Sequence, residues 1–200
     1  MKWNDVKLYQ FNKLQELLKI ENEEEKLVSI CSLLMGEDIL ELPVSEFNKK
    51  IKELDFLKEE IPSNVPPKKI TVNGKKYYFD CLLGNVTTAQ YVDFINYSKT
   101  SDIVKMLSVF MIPEGHKYND GGYEISYVIN DIYELPITVV NDAAFFFAKQ
   151  FSKFMEIFQS YSIKNLKKLK LNKEVEKQLI KAMKSSVDLA LFPLSSNFAK

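Results

Sequence analysis

Arginine is absent from this chain of 200 residues, so all 27 of its basic residues are lysines. The planar arginine fork is the usual side chain for bidentate contacts to phosphate, carboxylate and guanine. We therefore expect neither sequence-specific recognition of nucleic acid nor a phosphoryl-transfer site clamped by arginine. An AT-rich genome that favours lysine codons also explains this composition. Whatever its cause, the absence of arginine reduces the kinds of partner that we expect.

Cysteine and histidine are nearly as scarce, with two cysteines and one histidine in the chain. Cys31 and Cys81 lie in apolar sequence without CxxC spacing, which favours buried free thiols in a reducing cytoplasm. His116 has no second histidine and no paired cysteine beside it, so it is a poor candidate for a metal ligand. We expect His116 to be a surface loop residue, and we expect no metal or other cofactor.

Long apolar runs are also missing, because none approaches the roughly 20 residues that a membrane-spanning helix needs. The first residues lack the apolar segment of a signal peptide. Only 6 glycines and 7 prolines leave little room for a low-complexity tail. With 46% hydrophobic and 27% charged residues, the composition is typical of a folded protein. We expect one compact domain, or one domain with a smaller appendage, and no membrane insertion.

Motifs that carry common chemistries are missing as well, including a phosphate-binding loop, a Gly-x-Ser-x-Gly elbow, an HExxH helix and a Rossmann glycine fingerprint. A serine or cysteine triad would have only His116 as its base. The acid pairs Glu59/Glu60 and Asp131/Glu134 would suit acid–base chemistry if they were buried together. We expect them on ordinary solvated helix faces, and we expect no catalytic residue and no enzyme activity.

Residues 1–62 predict three short helices, each with one apolar face. Asp5 is the predicted cap of the first, the acidic run 23–25 opens the second, and Ser45 caps the third. Gly36 is the predicted end of the second helix. The apolar faces contain Val6, Leu8, Phe11, Leu14, Leu17 and Leu18, then Leu27, Ile30, Cys31 and Leu34, then Phe47, Ile51 and Leu54.

A boundary between segments and a predicted β-hairpin follow residues 1–62. Three prolines within residues 62–67 favour extended backbone and mark the clearest boundary in the chain. Asn73 and Gly74, flanked by β-branched and aromatic residues, predict a type I′ turn in a β-hairpin over about residues 69–80. Two strands alone are marginal in water, so the hairpin must pack on helices or join the sheet of another chain.

Helices are predicted again after the hairpin. Thr87 and Gln90 form a capping box, residues 100–102 cap a helix that continues to Pro113, and a further helix ends before Pro136. The longest helix begins at that proline, and its spacing favours a buried central helix over an aromatic ligand box. We expect this helix to be buried over most of its girth. Its phenylalanines are Phe145, Phe146, Phe147, Phe151 and Phe154.

These elements predict a mainly α-helical fold, in which a helical bundle carries one small β-hairpin and an extended C-terminal arm. The predicted organisation is an N-terminal helical segment (1–62), a core with the hairpin and the central aromatic helix (63–163), and a basic helical tail with the arm (164–200). The arm has two aromatic anchors, Phe192 and Phe198, which suit it for docking onto a partner.

Charge is distributed unevenly along the chain. Residues 1–62 carry 9 lysines and 14 acidic residues, a net charge of −5, whereas residues 164–200 carry 9 lysines and 3 acidic residues, a net charge of +6. Three interpretations stay open: a solvated basic helix face, head-to-tail association of acidic and basic ends, and weak non-specific contact with nucleic acid. A head-to-tail contact closes into a ring when its rotation permits.

Residues 70–77 (ITVNGKKY) and 86–94 (VTTAQYVDF) resemble a pattern in small structural-module proteins of tailed bacteriophages. The likeness is greatest to phages that infect Bacteroidetes, including the crAss-like phages. The order of elements that follows is similar too: a short helix, a polar loop with Tyr123, a helix that ends at 135–136, and an aromatic helix. The resemblance covers about residues 70–160.

The resemblance implies a non-enzymatic virion protein, a ring subunit of the head–tail connector or tail that is assembled in the bacterial host cytoplasm. Its partners would be copies of itself and other phage structural proteins, portal-proximal or tail proteins. A tail assembly chaperone that is not retained in the virion is the alternative, and an unassigned enzyme is third. The contact residues expected from geometry and charge are Asn73, Gly74, Lys75 and Lys76, then Lys164, Lys167, Lys168 and Lys170, then Phe192 and Phe198.

Overall fold

The computed structural model describes residues 1–79, 86–100, 102–149 and Gln178. Within them the chain is mainly helical with one small antiparallel sheet, so the expected fold class is confirmed. The helices are α1 (Leu8–Leu17), α2 (Glu23–Met35), α3 (Val44–Glu53), α4 (Thr88–Ser98), α5 (Ile103–Ser108), α6 (Ile125–Tyr133) and α7, described over 137–149. The strands are β1 (Lys69–Val72), β2 (Lys75–Phe79) and β3 (Met111–Pro113).

The three predicted N-terminal helices are present, but two of their predicted caps are wrong. Asp5 lies in a 3₁₀ turn, where its carboxylate accepts a backbone hydrogen bond from three residues earlier, and α1 begins only at Leu8. The helix α3 begins at Val44, ahead of the predicted cap Ser45. Pro43 precedes its first turn, and the fixed φ of a proline suits the start of a helix.

A short β-bridge explains the late start of α1. The backbone N–H of Ile137 donates to the carbonyl of Val6, and the N–H of Leu8 donates to the carbonyl of Leu135, both at 2.8 Å. These bonds hold the backbone at Val6 extended, so the helix cannot include it. The bridge ties the start of the chain to the start of α7.

The predicted hairpin is confirmed, and it belongs to a three-stranded sheet in the order β1-β2-β3. The helix expected to continue to Pro113 ends instead at Ser108, because Met111 and its neighbours pair with the free edge of β2. That pairing satisfies the backbone groups that a longer helix would have satisfied. The paired residues are Lys69–Tyr78, Ile70–Tyr77, Thr71–Lys76 and Val72–Lys75, then Tyr77–Pro113, Tyr78–Ile112 and Phe79–Met111.

Three helix boundaries predicted from capping residues are confirmed. Thr87 and Gln90 form a reciprocal capping box at α4, where the Gln90 N–H donates to Thr87 Oγ1 and the Thr87 N–H donates to Gln90 Oε1. The Asp102 carboxylate accepts the N–H of Lys105 at the start of α5. Gly36 ends α2 with φ +67°, a left-handed conformation that favours glycine.

Two aromatic groups organise the buried core. Phe94 of α4, Phe110 and Phe147 of α7 are each at most 1% exposed, with ring centroids 4.5 to 5.4 Å apart. Trp3 packs edge-on against Phe56 at 5.1 Å. Both groups belong to one continuous hydrophobic cluster, so described residues on either side of the predicted boundary near 62 share a core.

The aromatic helix α7 is buried over most of its girth, as predicted, because the five consecutive residues 140–144 are all buried. Phe147 is fully buried, whereas Phe145 is 51% exposed at an open groove beside α1. Phe145 is therefore an exposed position on a helix whose other described residues are mostly buried. Phe151 and Phe154 lie outside the described residues.

The two scarce residue types, cysteine and histidine, lie in different environments, Cys31 in the core and His116 in a surface loop. Cys31 is buried with a free thiol, as predicted, and burial raises the pKa of that thiol. Cys81 lies outside the described residues. His116 lies in the expected loop, half-buried, with its Nδ1 3.4 Å from a carboxylate oxygen of Asp120.

The aromatic core generates a stability prediction. Phe147→Ala removes a fully buried ring that contacts two others, so the free energy of unfolding should fall by about 3–5 kcal/mol. The matched control is Phe145→Ala on the same helix, which should change stability by less than about 1 kcal/mol because the side chain is half exposed. Urea denaturation followed by far-UV circular dichroism measures both. Equal losses would contradict the described packing of α7.

Candidate functional site

The tip of the β1–β2 hairpin is a tight two-residue turn. Asn73 has φ +51° and Gly74 has φ +76°, the positive values that a type I′ turn requires at both central residues. Glycine adopts this conformation without a steric penalty, and asparagine tolerates it better than most residues. The turn therefore follows from the local sequence, and it places three polar side chains near one end of α6.

Those three side chains converge on the carboxylate of Asp131. The Asn73 side-chain amide donates to Oδ1 at 3.0 Å, and Lys75 Nζ donates to Oδ2 at 2.9 Å. The phenol of Tyr77 also donates to Oδ2. Asp131 is 4% exposed and Tyr77 is 2% exposed, so a buried carboxylate and a buried phenol join the hairpin to α6. We call these four residues the Asp131 cluster.

The burial of Asp131 corrects the expectation that it lies on a solvated helix face. It is three residues after Val128 and four before Leu135, both fully or almost fully buried, so helical spacing places it on the apolar face of α6. This helical spacing is the sequence feature from which the burial of Asp131 could have been predicted. Glu134, its expected partner, is half exposed and pairs with Lys7 at 2.6 Å.

The cluster perturbs the acid–base behaviour of its members. Burial alone would raise the pKa of Asp131, but hydrogen bonds from Tyr77, Lys75 and Asn73 outweigh it and lower that pKa below its ordinary value. Burial, followed by the bond to the carboxylate, raises the pKa of the Tyr77 phenol. At neutral pH the pair is therefore an ionised carboxylate and a neutral phenol.

The hydrogen bonds of the cluster hold the hairpin against α6. Both carboxylate oxygens accept hydrogen bonds from the same chain, one at Oδ1 and two at Oδ2. Lys75 is 56% exposed at its side chain and also lies 5.9 Å from the ring of Tyr127. Among the residues that the structure describes, no group of three histidine, cysteine or acidic side chains is placed to hold a metal ion.

Lysines 75 and 76 also line an open pocket of about 480 Å³ between the hairpin, β3 and α6. Its lining residues include Lys75 together with Glu114 and Glu124, so its charge does not select an anion. The other lining residues are Gly74, Tyr77, Pro113, His116, Tyr123, Tyr127 and Val128.

The opposite face of the hairpin is exposed. Because side chains alternate along a strand, Tyr77 and Phe79 are buried while Lys76 and Tyr78 are exposed on the other side. On β1 the exposed cross-strand neighbours are Lys69 and Thr71, and Lys69 Nζ lies 4.8 Å from the Tyr78 ring. We call Lys69, Thr71, Lys76 and Tyr78 the outer sheet face, a basic and aromatic surface.

A second concave surface lies between α1 and α7, with a volume of about 880 Å³. We call it the α1–α7 groove. Leu18 at the end of α1 and Phe145 of α7 are about half exposed there, while Glu59 and Glu60 stand at its rim. The other lining residues described are Trp3, Leu8, Phe11, Asn12, Leu14, Gln15, Leu57, Ile61, Ile103, Ile137, Val140 and Asn141.

The predicted contact residues fall into two sets. Asn73, Gly74, Lys75 and Lys76 are all exposed at the hairpin tip, although Asn73 and Lys75 direct a donor into the Asp131 cluster. Their contact with a partner stays a prediction. Outside the described residues lie Lys164, Lys167, Lys168, Lys170, Phe192 and Phe198.

Comparisons with known proteins find no matching family model, no matching curated protein and no matching solved structure. The function of the chain is therefore inferred from the geometry of these sites. Among the described residues, no helix is both long enough and apolar enough to span a membrane.

The Asp131 cluster generates a second stability prediction. Asp131→Asn removes the buried charge that three donors share, so the protein should lose about 1.5–3 kcal/mol of stability. The control is Glu134→Gln at the residue that follows the same helix, where the half-exposed ion pair with Lys7 should be worth at most about 1 kcal/mol. Urea midpoints at pH 7 measure both, and a larger loss for the control would show that the cluster is not what anchors the hairpin.

The lowered pKa of Asp131 predicts how stability changes with pH. A carboxyl group with a lower pKa in the folded state stabilises the fold above its unfolded pKa of about 3.9 and loses that contribution as the pH falls through the folded value. The stability difference between the native protein and Asp131→Asn should therefore be constant from about pH 7 to pH 5 and shrink below about pH 4. Denaturation curves across this range measure it, and a difference that grows on acidification would contradict the direction.

Proposed function

We propose that the protein is a non-enzymatic structural protein of a tailed phage, a ring subunit of the head–tail connector or tail that acts through protein–protein contacts. The observation that carries the proposal is the outer sheet face, an exposed basic and aromatic surface on a hairpin that Asp131 anchors. The resemblance of residues 70–77 and 86–94 to phage structural modules agrees with it. In this proposal the protein is located in the virion, with portal-proximal or tail proteins and its own copies as partners.

The hairpin suits an assembly contact because its conformation is set before binding. A preorganised surface loses little conformational entropy on association, so more of its contact energy appears as affinity. Tyr78 supplies an amphipathic aromatic ring, a residue type enriched at interfaces, and Lys69 lies against it. The exposed tip, Asn73–Lys76, extends this surface.

Charge supports a head-to-tail arrangement of subunits. Residues 1–62 have a net charge of −5 and residues 164–200 a net charge of +6. Opposite charges on two segments of the chain favour contact between the acidic segment of one copy and the basic segment of another. A heterologous contact of this kind generates a ring when its rotation closes.

A tail assembly chaperone is the second candidate, and the α1–α7 groove favours it. A chaperone must offer an apolar surface to a client, and Leu18 and Phe145 are half exposed in this groove. The ring subunit has the stronger support because the outer sheet face and the charge asymmetry both suit a repeated contact.

Mass spectrometry of purified phage particles, with copy number per particle, tests the proposal. A ring subunit should be present in the particle at a multiple of six or twelve copies, since connector and tail rings repeat around one axis. If the protein is abundant in infected cells and absent from particles, the structural role is wrong and the chaperone is favoured.

The outer sheet face supplies variants for the same experiment. Lys76→Glu with Tyr78→Ala should lower incorporation into particles at least about tenfold, because truncated aromatic anchors commonly cost that much affinity. Lys99→Glu, at an exposed side chain directly after α4 and outside residues 1–62, is the matched control and should be incorporated normally. Equal incorporation of the two variants would exclude the outer sheet face as the contact surface.

A further inference from the structure

The α1–α7 groove is an apolar surface that needs a partner. Of the lining residues described, most are apolar, and two of them expose about half of a large side chain, Leu18 at 50% and Phe145 at 51%. A volume of about 880 Å³ is far larger than a single side chain and lies in the range of sites that bury a whole ligand. An exposed apolar surface of this kind marks a binding site more often than ordinary protein surface.

The charge of the groove restricts what it binds. The charged side chains among its described lining residues are Glu59 and Glu60, and both are exposed at the rim. The amides of Asn12 and Gln15 also line it, and such groups can hydrogen-bond the backbone of an extended peptide. The chemistry therefore fits an extended segment with large apolar side chains in a basic sequence.

One segment of the chain itself has this chemistry. Residues 191–198 read Leu-Phe-Pro-Leu-Ser-Ser-Asn-Phe, and they belong to the stretch 164–200 with its net charge of +6. Pro193 favours an extended backbone at its own position and the one before it. We propose that the α1–α7 groove binds residues 192–198 of the same chain, with Phe192 and Phe198 as its anchors.

Tethering favours the chain's own segment over that of a second copy. The described part of α7 ends at residue 149, on the helix that forms one wall of the groove. Roughly 40 residues separate it from Phe192, which at full extension span up to about 130 Å and so reach the groove easily. A ligand on the same chain is present at an effective concentration of about a millimolar, well above that of free copies in dilute solution.

Photo-cross-linking of the full chain tests this inference. p-Benzoylphenylalanine replaces Phe145, and the protein is prepared as a mixture of ¹⁴N and ¹⁵N forms before irradiation and peptide mapping. We expect the dominant cross-link to reach residues 192–198 and to join peptides of the same isotope. The matched control carries the same photoreactive residue at Leu40, which is 77% exposed away from the groove, and should give no such cross-link.

A pair of arm variants checks that the anchors are specific. Phe192→Ala with Phe198→Ala should reduce the cross-link from position 145 at least about tenfold, whereas Ser195→Ala with Ser196→Ala should leave it unchanged. Cross-links to other segments, or to peptides of the other isotope, would overturn the inference, the latter in favour of a second copy. A negative cross-linking result would not change the expected number of copies per particle. Failure of this inference is therefore distinguishable from failure of the proposed function.

Discussion

The ionised carboxylate of Asp131 is the contact on which the hairpin depends. Leaving a buried carboxylate without partners would be strongly unfavourable, so the hydrogen bonds from Asn73, Lys75 and Tyr77 are required by the burial itself. Those donors are supplied by the turn and by β2, more than fifty residues earlier in the chain. The cluster therefore converts a marginal two-stranded element into a fixed part of the molecule, with β3 completing the sheet.

Contacts between residues that are distant in the sequence also hold the rest of the fold together. The bridge between Lys7 and Pro136 joins the start of the chain to the start of α7, and the rings of Phe94, Phe110 and Phe147 pack together in the core. Among the described residues, the outer sheet face and the α1–α7 groove are exposed surfaces outside these contacts. The proposed assembly contact and the proposed binding of the C-terminal arm each use one of them.

Elements determined by local chemistry were predictable from the sequence. The Asn73–Gly74 turn, the Thr87 capping box and the glycine at position 36 each satisfy backbone requirements within a few residues. The strand β3 was not predictable in this way, because Met111 is held by an edge of β2 more than thirty residues earlier. Asp131 was misjudged for a related reason: only its distant donors make the burial of a carboxylate on the apolar face of α6 favourable.

Amide hydrogen exchange, measured at single-residue resolution, tests most directly whether Asp131 anchors the hairpin. In the native protein the paired amides of β1 and β2 should exchange about as slowly as those of α6. In Asp131→Asn they should exchange at least about tenfold faster, as expected for a local loss near 1.4 kcal/mol, while the amides of α4 are less affected. Hairpin amides that exchange rapidly in the native protein, or that keep their protection in the variant, would contradict the account.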